Sequence, residues 1–216
     1  MSDLVVRLRA LPTAAISDAL DRAGIEGALH GVTPLSNDFR AVGPAFTVRY
    51  AAVDEAGAGT VGDFLDDVPS DAVIVIDNDG RTDVTVWGGI MTEVAAHRGI
   101  AGTVINGVCR DVSASLTQNY PLFSRGRFMR TGKDRVRLVA VDEPVTVSGI
   151  EIRPGVCADA DGVVVVPAAE AERITESAER IERVESDIVA AARAGSTLRE
   201  SRVHFGYHTL QTRSQT

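Results

Sequence analysis

At 216 residues, 44% of them hydrophobic and 24% charged, the chain is long enough to bury one sizeable core and has none of the bias of a disordered protein. Its formal net charge of −8 opposes general attraction to nucleic acid or to an anionic membrane. No apolar run approaches the roughly 20 residues that span a bilayer, and the N-terminus lacks a basic-then-apolar leader pattern, so a cytoplasmic protein is expected.

Taken in chain order, residues 3–23 carry apolar side chains at helical spacing on either side of Pro12, which predicts two short helices, the second capped by Thr13 or Ser17. Gly24, Gly27 and Gly31 mark loop, Val42 to Tyr50 alternates as a strand, and the glycines of Asp54 to Thr60 predict a mobile loop. Phe64 to Val68 reads as a short helix. Ala72 to Ile76 is an uninterrupted apolar run rich in β-branched residues, as expected of a strand buried on both faces.

A helix opening at Gly88-Gly89 follows, with Ile90, Met91, Val94 and Ala95 on its apolar side and Gly99 as its stop. Ala101 to Ile105 reads as the next buried strand, which completes a βαβ unit. Ligands of open α/β sheets gather at the carboxyl ends of strands, where Asp77, Asp79, Arg110 and Asp111 fall. Val112 to Asn119 predicts another helix and Leu122-Phe123 another strand.

Six cations then fall within 13 residues: Arg125, Arg127, Arg130, Lys133, Arg135 and Arg137. They suit substrate carboxylates or RNA, although a solvated hairpin face is the commoner meaning of such a run. Strands are expected at Val145 to Val147, Glu151-Ile152 and Gly162 to Val166, with turns at Ser148-Gly149 and Pro154-Gly155. A long helix over 168–194 carries Ile174, Ile181 and Ile188 seven apart, with Val184 and Ala191 three residues after the last two, as an apolar seam. In the tail, 195–216, His204 and His208 are spaced for a metal on one helical face, but no third ligand accompanies them and a solvated tail is favoured. The fold class expected is therefore α/β: a single domain over 1–216, with a mixed, partly parallel sheet flanked by helices. Cys109 and Cys157 lack metal spacing and read as buried thiols; Cys109 adjoins Arg110, which could activate it, but no histidine lies nearby as a base.

Chemistry concentrates in Trp87 to Asp111. A glycine pair at a helix start bares backbone N–H groups to an anion, because no Cβ blocks the approach and the helix dipole favours negative charge. Gly88, Gly89, Ile90 and Met91 are thus candidate substrate-binding residues. Twenty residues separate Gly89 from Arg110, giving G-x20-R-D. Arg110 supplies a planar fork for a carboxylate, and Asp111 a hard oxygen for Mg²⁺ or Mn²⁺.

These stretches, with Leu11-Pro12-Thr13, Ser17-Asp18-Ala19-Leu20, Val42 to Val48 and Asp161 to Pro167, resemble the RraA-like proteins, which include 4-hydroxy-4-methyl-2-oxoglutarate aldolases and the regulator of ribonuclease activity A. The resemblance implies that Arg110 holds a 2-oxo acid, that Asp111 anchors a divalent metal, and that both serve a C–C lyase working through a pyruvate enolate. It also implies a homo-oligomer, a trimer or hexamer, with sites lined by neighbouring subunits. Two positions depart from the pattern: Gly89 stands where the aldolases carry aspartate, and Ala114 where decarboxylating members carry an acid. The acid/base is therefore open among a water on the metal, Asp77, Asp79, Glu93, and Glu200 from a neighbour. Loss of both acids also suits the other class in the family, a non-catalytic regulator that binds a ribonuclease or another protein.

Overall fold

The computed structural model describes residues 3–53, 57, 60–152 and 156–210, with backbone alone at 156–158. The expected loop at Asp54 to Thr60 lies mostly outside the described residues, and the expected turn at Pro154-Gly155 wholly so. The fold is α/β. Helices α1 (Asp3–Arg9) and α2 (Thr13–Arg22) lead through β1 (Thr33–Pro34) to β2 (Ala41–Gly43) and β3 (Ala45–Ala52). A 3-10 turn at Asp63–Asp67 precedes β4 (Val73–Asp77), α3 (Gly89–His97), β5 (Gly102–Cys109), α4 (Val112–Thr117) and β6 (Leu122–Arg127). Then come β7 (Val136–Val141), β8 (Val145–Val147), β9 (Ile150–Ile152), β10 (Val156–Asp159), β11 (Gly162–Val165), α5 (Ala171–Arg193), α6 (Leu198–His204) and α7 (Tyr207–Leu210).

The main sheet has six strands in the order β1-β6-β5-β4-β3-β7. Strands β3 to β6 run parallel, and β1 and β7 close the edges antiparallel. Parallel strands covered on both faces must be apolar on both, and β4 meets this condition residue by residue. Ile74 and Ile76 face a core with Ile105, Trp87 and Met91, while Val73 and Val75 face another with Val104, Phe123 and Ile152. A third core joins α1, α2 and α5 to Val42 and Val164 of a small antiparallel sheet, β11-β10-β2, and to Val166 just beyond it. The seam of α5 packs here through Ile174 and Ile181, and Ile188 further along it is also buried. Among the described residues, no helix is long and apolar enough to cross a membrane.

Several expectations need correction. The strand read from Val42 to Tyr50 is two strands in two sheets, broken at Pro44, which has no N–H for a ladder but accepts from Val73 N at 2.8 Å. Neither Thr13 nor Ser17 caps α2, for which Pro12 is the cap residue. Asp159 instead reaches across and accepts from Thr13 N at 2.8 Å and from Thr13 Oγ1 at 2.5 Å. The cation run is not a hairpin, because β6 and β7 lie near opposite edges of the sheet. On α3, Ile90 is 84% exposed whereas Thr92 is buried, so the apolar side was assigned one residue out of phase. Residues 195–210 hold α6 and α7, with the Thr197–Glu200 capping box opening α6. His204 ends α6 and His208 lies in α7, so they do not share a helical face.

Candidate functional site

Strand β5 is buried throughout and delivers the chain at Cys109 to a sharp turn. Asp111 adopts φ 55°, a left-handed conformation that aspartate tolerates better than most residues, and so turns the chain straight into α4. Arg110 N donates to Trp87 O at 3.2 Å, which ties this turn to the segment that opens α3. Trp87 is 1% exposed and stacked on Tyr120. Its Nε1 donates to Thr92 Oγ1 at 2.9 Å, and that hydroxyl donates to Gly88 O at 3.2 Å. Thr85 completes the frame: its hydroxyl lies 2.9 Å from both the Trp87 and Val108 carbonyls and accepts from Trp87 N at 3.2 Å.

This frame presses the arginine-aspartate turn against the start of α3. Gly89 N donates to Asp111 Oδ2 at 2.8 Å, and Arg110 Nε lies 3.5 Å from the same oxygen. A Cβ at Gly88 would stand 2.9 Å from Asp111 Oδ2 and 3.2 Å from Arg110 Nε, so an added side chain there must displace the Asp111 carboxylate. Gly89 is different: its Cβ would make ordinary contacts at 3.5 Å with Asp111 and 3.7 Å with Ala114. The next two N–H groups, of Ile90 and Met91, have no partner among the described residues and remain available at the positive end of the helix dipole.

A cleft of about 740 Å³ opens over this arrangement. Gly88, Gly89, Ile90, Met91, Arg110 and Asp111 all line it. The candidate proton handlers do not. Asp77 and Asp79 line a separate cleft with Arg49 and Arg81, Asp77 accepting from Asn106 Nδ2 at 2.7 Å. Glu93 faces away from the site beside His97 and Gln118, and within its own chain Glu200 is engaged by Thr197 at 2.7 Å. Sequence reasoning missed Asp63, Thr131 and Asp134 on the cleft's other wall, where Lys133, one of the six cations read as suited to substrate carboxylates, also lies. A glycine before each of Asp63 and Lys133 is the signal that could have pointed there. Cys109 lies beneath the turn, wholly buried, with its sulfur 3.5 Å from Ser124 Oγ; burial pushes its thiol up, away from the reactive range.

The donor set can be tested against a metal. Among the described residues no group of three or more His, Cys, Asp and Glu side chains could cage an ion. Asp111, 49% exposed at its side chain and with no capping bond to its own helix, offers one accessible carboxylate. One carboxylate fits an ion of the Mg²⁺ type, which keeps several waters and takes its remaining ligands from the substrate.

Comparison with known proteins agrees with this architecture. The family model described as RraA-like, Aldolase/RraA, matches residues 13–165. Protein DlpA of Legionella pneumophila is 38% identical over 211 residues, which are 96% of this chain and 34% of that protein, so the chain spans about a third of that relative. A protein of Halalkalibacterium halodurans named "Putative 4-hydroxy-4-methyl-2-oxoglutarate aldolase" is 35% identical over 201 residues, 89% of this chain and 93% of its own length. Among solved structures, an uncharacterized protein from Pseudomonas syringae pv. tomato superposes with a TM-score of 0.89 at 44% identity, covering 93% of each chain. Streptomyces coelicolor RraAS2, described as an unusual member of the RNase ES inhibitor RraA protein family, superposes at 0.77 with 28% identity over 86% of this chain and 95% of its own. With its family match spanning the sheet, the cleft and the arginine-aspartate turn, the chain belongs to the RraA-like family.

Proposed function

We propose that the protein is a divalent-metal-dependent lyase that makes or breaks a C–C bond next to a 2-oxo acid. The reaction is retro-aldol cleavage of a 4-hydroxy-2-oxo diacid, decarboxylation of oxaloacetate, or both. The observation that carries this reading is the turn locked to the helix start, with Gly89 N on Asp111 Oδ2 at 2.8 Å and Arg110 beside it. A relative named as an aldolase, 35% identical along nearly its whole length, supports the same class.

In this reading Arg110 binds the substrate carboxylate through its guanidinium, and the Ile90 and Met91 N–H groups take remaining oxygens at a helix N-terminus. Asp111 would hold Mg²⁺ or Mn²⁺, which when bound supplies Lewis-acid stabilisation of enolate charge. Gly89 and Ala114 bring no carboxylate. The described cleft residues other than Asp111 that could move a proton as carboxylates are Asp63 and Asp134. Decarboxylation needs no base at a C4 hydroxyl and retro-aldol cleavage does, so oxaloacetate is the better of the two substrates for this chain.

We also propose a homo-oligomer, a trimer or hexamer, to which the exposed apolar side chains of α3 and α4 contribute: Ile90, Val94 and Leu116 are 84%, 36% and 48% exposed. Light scattering at micromolar concentration tests this, and a monomeric mass would refute it.

The test of function is pyruvate release from a panel of 4-hydroxy-2-oxo diacids and oxaloacetate, with and without Mg²⁺ or Mn²⁺. Metal-dependent release above the non-enzymatic rate is the expected result. No release from any member of the panel would favour the second reading, a non-catalytic regulator, which the missing carboxylates at 89 and 114 and the likeness to RraAS2 support.

A further inference from the structure

We propose that Lys133 is a second anion anchor of the cleft, taking the distal carboxylate of a dicarboxylate whose oxo-acid end is held by Arg110 and the α3 amides; this rests on the reading that Arg110 binds an oxo acid. Of the six cations between positions 125 and 137, Arg125, Arg130 and Arg135 are already engaged in the fold. Arg125 donates to Asn106 Oδ1 at 2.5 Å, His30 O at 3.1 Å and Ser148 Oγ at 2.9 Å. Arg130 lies 5.6 Å over the Phe128 ring, and Arg135 donates to the Lys133 and Thr131 carbonyls at 3.1 and 3.4 Å. Lys133 lines the cleft, and no ion pair among the described residues engages it.

The loop that carries Lys133 is built to hold it there. Thr85 N donates to Arg130 O at 2.9 Å, Val136 N to Gly132 O at 3.0 Å, and Lys133 N to Thr131 Oγ1 at 3.2 Å. A Cβ at Gly132 would stand 2.7 Å from Thr85 O, so glycine is required for the loop to lie against Thr85. Thr85 also sets the separation of the two anchors, because it bridges in parallel fashion to Val108 on one side and Thr131 on the other. Those backbones are two strand spacings apart, about 10 Å. Arg110 follows Val108 by two residues and Lys133 follows Thr131 by two, so both long side chains start from opposite walls of the same cleft. The carboxyl carbons of a four-carbon diacid stand only about 4 Å apart by standard bond lengths, which a lysine and an arginine reaching inward across such a gap can both meet. Asp63 and Asp134 line the same space, so a dianion entering it needs a second cation to offset their charge.

The experiment is calorimetric binding of two stable probes, pyruvate with one carboxylate and 2-oxoglutarate with two, to the Mg²⁺-supplemented full chain and to Lys133→Ala and Lys133→Arg. The expected result is that the wild type prefers 2-oxoglutarate. Lys133→Ala should lose about ten- to hundredfold in affinity for 2-oxoglutarate while pyruvate binding stays within about twofold, and Lys133→Arg should keep most of the preference. Equal weakening of both probes, unchanged binding of both, or a wild type without preference would overturn the proposal. Pyruvate release by the wild type is measured beside it: release without a Lys133 effect on selectivity sinks the anchor alone, whereas selectivity without release sinks the lyase reading alone.

Discussion

Gly89 donates its backbone N–H to the Asp111 carboxylate at 2.8 Å, and this one bond locks the end of β5 to the start of α3. Asp111 makes no capping bond to α4, the helix it precedes. Its charge serves the neighbouring helix start, where Arg110 also stands, so anion-binding amides, guanidinium and carboxylate share one corner of the cleft.

Gly88 and Gly89 should respond differently to a methyl group. At Gly88 the added Cβ meets Asp111 Oδ2 at 2.9 Å, and the carboxylate can retreat only by giving up the Gly89 N–H. Gly88→Ala should weaken oxo-acid binding by about tenfold or more, the size of one lost charge-assisted bond, whereas Gly89→Ala should stay within about threefold. Calorimetric binding of pyruvate to both variants checks this.

Gly89→Asp tests the missing acid. There is room for a Cβ at this position, since its nearest contacts would be at 3.5 Å. If a carboxylate at 89 handles the proton of a C4 hydroxyl, the variant should raise aldol cleavage relative to oxaloacetate decarboxylation by up to about 10²-fold, the lower end of general acid–base help. Comparing kcat for the two substrates decides it; an unaltered protein that already cleaves the aldol substrate faster would contradict the argument.

How much of this was legible before the structure depends on whether the deciding contact was local. The Ala72 to Ile76 run announces a strand buried on both faces because both faces are apolar in one stretch of sequence. The six glycine, apolar and charged positions assigned to the site from 88 to 111 meet in one cleft because the parallel pairing of β4 with β5 sets the end of β5 beside the start of α3. The split at Pro44 has a local signal, a proline without an N–H inside a strand run, which the apolar alternation on either side masks. Strand β7 was missed because its half-buried edge position leaves only Val136 and Ala140 fully covered, too few for a clear alternation. Lys133 and Asp63 belong to the cleft only through Thr85 and through packing of the 3-10 turn near Met91, and sequence spacing carries neither.

Asp159 supplies a stability test away from the cleft. It is 9% exposed and accepts from both Thr13 N and Thr13 Oγ1, capping a helix from 146 positions away. Asp159→Ala leaves both donors buried without a partner and should cost about 1–3 kcal/mol, read as a fall of several degrees in the thermal midpoint. Asp159→Asn, which keeps an acceptor, should fall less.

A pH effect follows at the α1–α5 contact. Arg7 donates to both Glu179 oxygens, at 2.7 and 3.0 Å, and holds that carboxyl below its ordinary value of 4.5. A folded-state value below the unfolded one means stability present above 4.5 and lost as pH falls through the lower, folded value. Hydrogen-exchange protection of α1 should therefore drop below the ordinary carboxylate range in the wild type, and Arg7→Ala should remove that dependence. An unchanged profile in the variant would show that the pair does not hold α1.

The central claim is that Arg110 and Asp111 together make a metal-dependent oxo-acid site. Its most direct test is pyruvate release from oxaloacetate by the wild type, Arg110→Ala and Asp111→Asn, each with Mn²⁺ and after chelation, with the non-enzymatic rate subtracted. Both side chains are substantially exposed, at 40% and 49%, so the variants should fold and show unchanged circular dichroism. The account predicts release by the wild type with Mn²⁺ alone, a loss of about ten- to hundredfold or more in Arg110→Ala, and no response to Mn²⁺ in Asp111→Asn. Wild-type rates in either variant would contradict it and leave the pair a structural lock between β5 and α3.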